Sequence, residues 1–162
     1  MTNMAYRKCA GAVVFNKDGK VFVANRLGMT NAWQFPQGGI EKNETIEEAA
    51  RRELFEETSI SSVKLIHSEK QPIRYEFPKH IKNNFTKNGI HSDGQDIFFS
   101  LFYFEGKEQE INLETKEQEF DSYMWESFDF AVSQVVDFKK DVYTSIANKF
   151  APIIDQYLKS LT

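Results

Sequence analysis

Residues 33–58 constrain the fold of this chain more than any other stretch. Trp33-Gln34-Phe35 sets two aromatic residues around a glutamine. Pro36 ends it, because proline has no amide to give to a strand ladder. Gly38 and Gly39 follow, and adjacent glycines permit backbone geometry, or close approach of a ligand, closed to other residues. The stretch reads as a rigid loop leading into a helix. Thr45 is a good N-cap and Glu48, three residues on, completes a capping box, which satisfies two otherwise unpaired amides. The helix is predicted to run to about Thr58.

On an ideal helix with Ile46 at zero, Glu53 falls near ~340°, Glu56 near ~280° and Glu57 near ~20°, so three carboxylates share a sector about 100° wide. Ile46, Ala49 and Ala50 lie in the same sector, while Glu47, Glu48, Arg51 and Thr58 fall opposite, on what reads as a solvated face. Phe55, near ~180°, does not fit this division. Like charges one turn apart repel, and more so as solvent is withdrawn, so the cluster calls for a cation. Oxygen ligands without nearby His or Cys suit a hard ion such as Mg²⁺ or Mn²⁺, and the carbonyls of Gly38 and Gly39 offer further ligands. On spacing alone, the simpler account is an acidic surface helix whose charges are solvated or paired with Arg51 and Arg52.

Around this helix, Tyr6 to Phe15 and Val21 to Asn25 read as a hairpin closed by the turn-forming Asn16-Lys17-Asp18-Gly19. Val63 to Glu69, Ile73 to Phe77 and Ile97 to Phe104 read as strands. Lys139 to about Leu161 places Val142, Ile146 and Phe150 four apart, an amphipathic helix interrupted or kinked at Pro152. Residues 79–95, from Lys79 to Gln95, are polar and without apolar period, which suggests a lid or mobile loop. Strands enclosing a mid-chain helix, with another at the end, give an α/β sandwich around a mixed sheet.

A chain of 162 residues fits one domain, residues 1–162, with a core that needs no disulfide. The lone Cys9 cannot form an internal disulfide, and no apolar stretch reads as a secretory signal or membrane span. A cytoplasmic setting and no membrane partner are expected. A net charge of −4 argues against a protein held to double-stranded DNA, or to any nucleic acid, by bulk electrostatics. If the protein handles RNA, it is expected to recognise an end. Nothing in the sequence specifies an oligomeric state.

Gly38, Glu44, Arg52-Glu53-Leu54, Glu56-Glu57 and Ile60 match the Nudix box, G-x5-E-x7-R-E-U-x-E-E-x-G-U, where U is aliphatic. The final glycine of the box is Ser59 here, at a helix end that favours a left-handed residue; a non-glycine there costs on the order of 1 kcal/mol. The resemblance implies a Nudix-type α/β/α sandwich and a metal-dependent hydrolase that directs water onto a phosphorus of a nucleoside diphosphate derivative. Carried over residue by residue, it makes Glu53, Glu56 and Glu57 metal ligands and pairs Arg52 with Glu44. The general base is Glu53, Glu57 or a distant carboxylate, for which Glu119 is the candidate.

Beyond the box, Tyr6-Arg7, the run from Trp33 to Ile40, Arg74-Tyr75, Pro78-Lys79, Glu119-Phe120-Asp121 and the run from Val135 to Tyr143 resemble the bacterial RNA pyrophosphohydrolases. The diadenosine polyphosphate hydrolases are their close relatives. That resemblance makes Arg7, Val136, Phe138 and Lys139 a cleft for terminal bases, although taken alone Phe138 reads equally as core and Arg7 and Lys139 as surface. Arg26 and Lys79 are candidate phosphate contacts, with Tyr75 and Gln95 beside them. At Gly94-Gln95-Asp96-Ile97-Phe98-Phe99 relatives carry two lysines, and Asp96 is expected to take positive potential from a strand bordering the phosphates. Lys82, Lys87, His80 and His91 in the 79–95 segment offer compensation. The implied activity is removal of pyrophosphate from a 5′-triphosphate RNA end, the implied cofactor Mg²⁺ or Mn²⁺. The alternatives are a diadenosine polyphosphate substrate and a non-catalytic nucleotide-binding module, which would lack one or more helix carboxylates.

Overall fold

The structure, a computed structural model, describes residues 5–87, 89 and 92–162. Its spine is β1 (Tyr6–Phe15). This strand turns at Asn16, whose side chain accepts from the amides of Asp18 (3.0 Å) and Lys20 (3.1 Å), and returns as β2 (Val21–Arg26). Pro36 separates two short strands: β3 (Trp33–Gln34) pairs with β2, and β4 (Gln37–Gly39) pairs with β1, Gly39 opposite Cys9. The segment expected to be a loop is therefore tied into the sheet on both sides of the proline.

After helix α1 (Ile46–Thr58) come β5 (Val63–Ser68), β6 (Ile73–Glu76), helix α2 (Lys79–Lys87), β7 (Gly94–Phe104) and β8 (Phe120–Glu126). β7 runs parallel to β1 along its whole length, from Tyr6 opposite Gly94 to Phe15 opposite Tyr103. Every other pairing is antiparallel: β5 and β6 add to the two halves of β7, and β8 adds to β2. The sheet is thus mixed, with the order β3-β2-β1-β7-β5 along its main path.

Alternation along β1 builds two cores, since successive strand side chains point to opposite faces. Cys9, Val13 and Phe15 face one layer with Phe99, Tyr143, Ile146 and Phe150. Ala10, Ala12 and Val14 face the other with Ala49, Ala50, Leu54 and Phe102. Helix α1 covers the second face, and α3 (Phe128–Gln134) and α4 (Lys140–Ser160) cover the first. The architecture is the expected α/β/α sandwich. Among the described residues no helix is long and apolar enough to cross a membrane.

The 79–95 segment differs from its sequence reading: α2 forms at Lys79–Lys87, and β7 begins at Gly94. Pro78 starts this helix, its carbonyl accepting from the amides of Ile81 and Lys82 (2.9 and 3.0 Å), and Ile81 packs against the first core. A helix this short depends on such packing, which the polar residues around Ile81 do not announce in the sequence. His91 lies outside the described residues. At the other end of the chain, α4 continues unbroken through Pro152. The lost amide costs a hydrogen bond, but buried Phe150 and Ile154 anchor the helix on both sides of it.

Candidate active site

A cavity of about 1110 Å³ opens where α1, β4, α2, the 115–119 segment and the 138–139 turn meet. Its anionic wall comes from α1. Thr45 caps that helix and Glu48 returns the bond to the Thr45 amide (3.0 Å), which fixes where the following turns present their carboxylates. Glu57 is 7% exposed, Glu53 half-buried, and Glu56 exposed. Thr58, expected on the solvated face, is fully buried. The reason is the chain that crosses the end of α1: the Asn112 amide donates to the Thr58 carbonyl at 2.9 Å. Phe55, on the outer face, is 55% exposed at the cavity rim.

A Cβ at Gly38 would run into the Glu53 carboxylate and one at Gly39 into the Arg7 guanidinium, so either side chain would have to move aside for it. Two groups of opposite charge therefore lie directly over the glycine pair. Arg52 ties the wall together from behind. Its Nε and Nη2 donate to Glu44 (2.7 and 3.0 Å), its Nη1 to Glu53 (2.8 Å) and Glu56 (3.2 Å), and its Nη2 also to the Gly39 carbonyl (2.9 Å). Hydrogen bonding to Arg52 holds the Glu44 carboxyl below its usual range. Burial pushes Glu53 up, with Arg52 opposing it.

Glu57 carries the strongest signal. Burial first, then the charges of Glu53 and Glu119, push its carboxyl up to about 9, although the Gln37 amide donates to it. Its Oε2 is buried without a hydrogen-bond partner. A buried, partnerless carboxylate oxygen among other carboxylates is poorly stable by itself, and its chemistry fits a hard divalent cation. Among the described residues no three His, Cys, Asp or Glu side chains are already drawn around one point, because Arg52 holds Glu53 and Glu56 toward itself.

The opposite wall is cationic and aromatic. Lys139 is 8% exposed, with its ammonium 5.5 Å from the Tyr75 ring centre. Burial, then the charge of Arg26, lowers its pKa to about 8. The rings of Tyr75 and Phe138 lie 5.6 Å apart. The Tyr75 hydroxyl and the Gln37 amide nitrogen (3.0 Å) both donate to the Gln95 side-chain oxygen, which turns the Gln95 amino group into the role of donor. Gln37 thus touches both walls, giving its backbone amide to Glu57 and its side chain to Gln95.

Arg7, Arg26, Gly38, Gly39, Glu53, Glu56, Glu57, Tyr75, Gln95, Glu119, Phe138 and Lys139 all line this cavity. Glu44 and Arg52 brace it from outside the lining. Lys79, exposed at the start of α2, and Val136, half-exposed before the 137–139 turn, are not among its lining residues. Asp96 also differs from its expected role. Alternation along β7 puts Gln95 on the cavity side and Asp96 on the other, where Arg74 grips it at 2.7 and 2.9 Å and holds its carboxyl low. Its charge is neutralised away from the cavity. Gln34, Gln37, Ile81, Asn84, Thr115 and Lys116 line the cavity without having been singled out. The two glutamines flank Phe35-Pro36, which is a readable hint, whereas Thr115 and Lys116 stand in irregular chain with no pattern to flag them.

Comparison with known proteins places this geometry. A NUDIX domain profile matches residues 5–146. RNA pyrophosphohydrolase of Bartonella clarridgeiae is 40% identical over 159 aligned positions, covering 91% of each chain. RNA pyrophosphohydrolase of Pelagibacter ubique is 40% identical, covering 94% of this chain and 96% of its own. Among solved structures, a MutT protein from Methanosarcina mazei Go1 matches with a TM-score of 0.63 at 15% identity, covering 92% of this chain and 98% of that one. A C. elegans Ap4A hydrolase matches with a TM-score of 0.63 at 18% identity, covering 90% and 98%; at such identities both likenesses concern the fold. With the box residues gathered on one wall of the cavity and the profile spanning most of its length, the chain belongs to the Nudix family.

Proposed function

We propose that this protein is a Mg²⁺-dependent pyrophosphohydrolase that removes pyrophosphate from the 5′-triphosphate end of RNA and leaves a monophosphate. The observation that carries the reading is a single cavity lined by Glu53, Glu56, Glu57 and Glu119 together with Arg7, Lys139, Tyr75 and Phe138. The curated relatives named RNA pyrophosphohydrolase support the substrate.

Glu53, Glu56 and Glu57 would hold the cation. The carbonyls of Gly38 and Gly39 are the candidate backbone oxygens for the same site, and that of Gly39 already accepts from Arg52. A bound Mg²⁺ supplies charge neutralisation for the polyphosphate and acidifies a water. Arg7 and Arg26 attract the phosphates, as charge-assisted hydrogen bonds to phosphate oxygens favour. Tyr75 and Phe138 offer ring faces to the terminal bases, and stacking of that kind is worth about 1–3 kcal/mol per base. Glu53, Glu57 and Glu119 are the groups in reach of the cavity to take the water's proton.

The test is to offer purified protein with Mg²⁺ a short 5′-triphosphorylated RNA and, separately, a diadenosine polyphosphate. Pyrophosphate release from the RNA, lost in Glu57→Gln, is the expected result. Faster cleavage of the dinucleotide by a wide margin would overturn the RNA assignment.

A further inference from the structure

Helix α2 grows directly out of the strand that carries the aromatic part of the site. Tyr75 lies in β6, and Phe77, two residues on, packs its ring 5.6 Å from that of Tyr75 and 6.1 Å from that of Phe138. Pro78 then starts the helix. Ile81 and Asn84, one turn apart, line the same cavity as these rings. On an ideal helix with Lys79 at zero they fall near ~200° and ~140°, whereas Lys82 falls near ~300° and Lys87 near ~80°. One side of α2 therefore borders the site, and the other carries its three lysines.

The charge of this helix stands apart from its setting. In a chain of net charge −4, α2 contains no Asp or Glu, unlike α1, α3 and α4. Residues 77–92 as a whole contain none. The acids that bracket this stretch are engaged. Glu76 accepts from the Tyr6 hydroxyl at 2.8 Å and pairs with Lys82 at 3.8 Å, and Asp93 accepts from the Ala5 amide at 2.6 Å. Lys79 and Lys87 are exposed. Pro78 and Ile81 seat the helix, so neither lysine is needed to hold it in place.

An acid-free cationic face at the mouth of the cavity suits a polyanion that continues beyond it. Binding of a phosphate backbone is driven by lysine charges of this kind, without regard to base sequence. Lys79 and Lys87 stand about 12 Å apart along the axis, at ~1.5 Å per residue, while phosphates recur every ~3.4 Å along a stacked strand. The face is long enough to meet more than one. We infer that the lysine face of α2 docks the RNA backbone downstream of the terminal nucleotides, where the strand leaves the cavity past Ile81 and Asn84. This rests on the reading of the substrate as RNA. A diadenosine polyphosphate has no chain to lay across such a face.

Lys79→Gln with Lys87→Gln removes two charges at little cost in helix propensity, and Lys79→Arg with Lys87→Arg keeps them. Binding of a 5′-monophosphorylated RNA of about ten nucleotides, and of its 5′-terminal dinucleotide, is measured by titration calorimetry over a salt series. Wild type is expected to bind the longer RNA more tightly, by a margin that shrinks as salt rises. The double glutamine variant should bind the longer RNA about 10-fold more weakly at low salt, with a salt slope shallower by about 1–1.5. The dinucleotide should stay within about 2-fold, since its contacts lie elsewhere, and the double arginine variant should match wild type. Equal wild-type affinity for both lengths, an unchanged salt slope in the glutamine variant, or equal losses for both RNAs would each overturn the assignment. A length-dependent defect in that variant, with no pyrophosphate release by wild type from the triphosphorylated longer RNA, would instead overturn the substrate reading and leave α2 as an RNA-binding surface.

Discussion

Arg52 holds Glu44 through two parallel hydrogen bonds, Nε to Oε2 at 2.7 Å and Nη2 to Oε1 at 3.0 Å, while its Nη1 reaches Glu53 at 2.8 Å. One guanidinium thereby fixes the loop before α1 and aims a carboxylate of the anionic wall. A lysine offers a point charge in place of this planar fork. Arg52→Lys is expected to lower stability by roughly 1–3 kcal/mol and turnover by about 10-fold or more, since small misplacements of reacting groups are costly. Urea denaturation and single-turnover rates check both. Wild-type values for the lysine variant would show that the fork is not needed.

Glu57 should make stability depend on pH and on divalent ions. Its carboxyl is raised from 4.5 to about 9, so between those values the folded state binds a proton that the unfolded state does not. The resulting stability is fully present below the lower value and is lost as pH rises to the upper one, by at most about 1.4 kcal/mol per pH unit. In chelator, denaturation midpoints at pH 6, 7.5 and 9 are expected to fall for wild type relative to Glu57→Gln. Adding Mg²⁺ at pH 7.5 should restore stability to wild type and release a proton, seen as a buffer-dependent heat of binding. Parallel pH curves for the two proteins would refute the coupling.

Lys139 sets binding against stability. Its ammonium is lowered from 10.5 to about 8 by burial and Arg26, so the unfolded state binds more protons between those values and stability rises with pH across that window. At pH 7 the buried charge is a net cost. Lys139→Met is expected to stabilise the free protein by about 1–3 kcal/mol at pH 7, with the gain shrinking between pH 8 and 10.5, and to raise KM for the RNA. A less stable methionine variant with unchanged KM would assign Lys139 a structural role.

The parts of this site that were legible in the sequence are those in which spacing carries the chemistry. Thr45 and Glu48 announce the start of α1, and Gly38, Glu44, Arg52, Glu53, Glu56 and Glu57 keep intervals that survive folding unchanged. Long-range contact decided the rest. Thr58 reads as solvated until residue 112 is seen to cross it, and Lys139 reads as surface because nothing local reports that Tyr75 of β6 packs against it. The side taken by Asp96 follows from period-two alternation once β7 is known to begin at Gly94. The seating of the 110–112 stretch is invisible to sequence, since it is made by hydrogen bonds that span 53 and 49 positions.

Ser59 stands where the Nudix box has glycine, and the structure explains how it is accommodated. Its backbone is left-handed, φ 66° and ψ 9°, which costs a non-glycine about 1 kcal/mol, while its hydroxyl donates to the Asn112 carbonyl at 2.9 Å, a bond worth about 0.5–1.5 kcal/mol. The two nearly cancel, so Ser59→Gly is expected to lie within about 0.5 kcal/mol of wild type. Ser59→Ala keeps the strain and loses the bond, and should be about 1 kcal/mol less stable. Urea midpoints on the two variants decide it: an alanine variant matching wild type would show that the hydroxyl does not offset the strain.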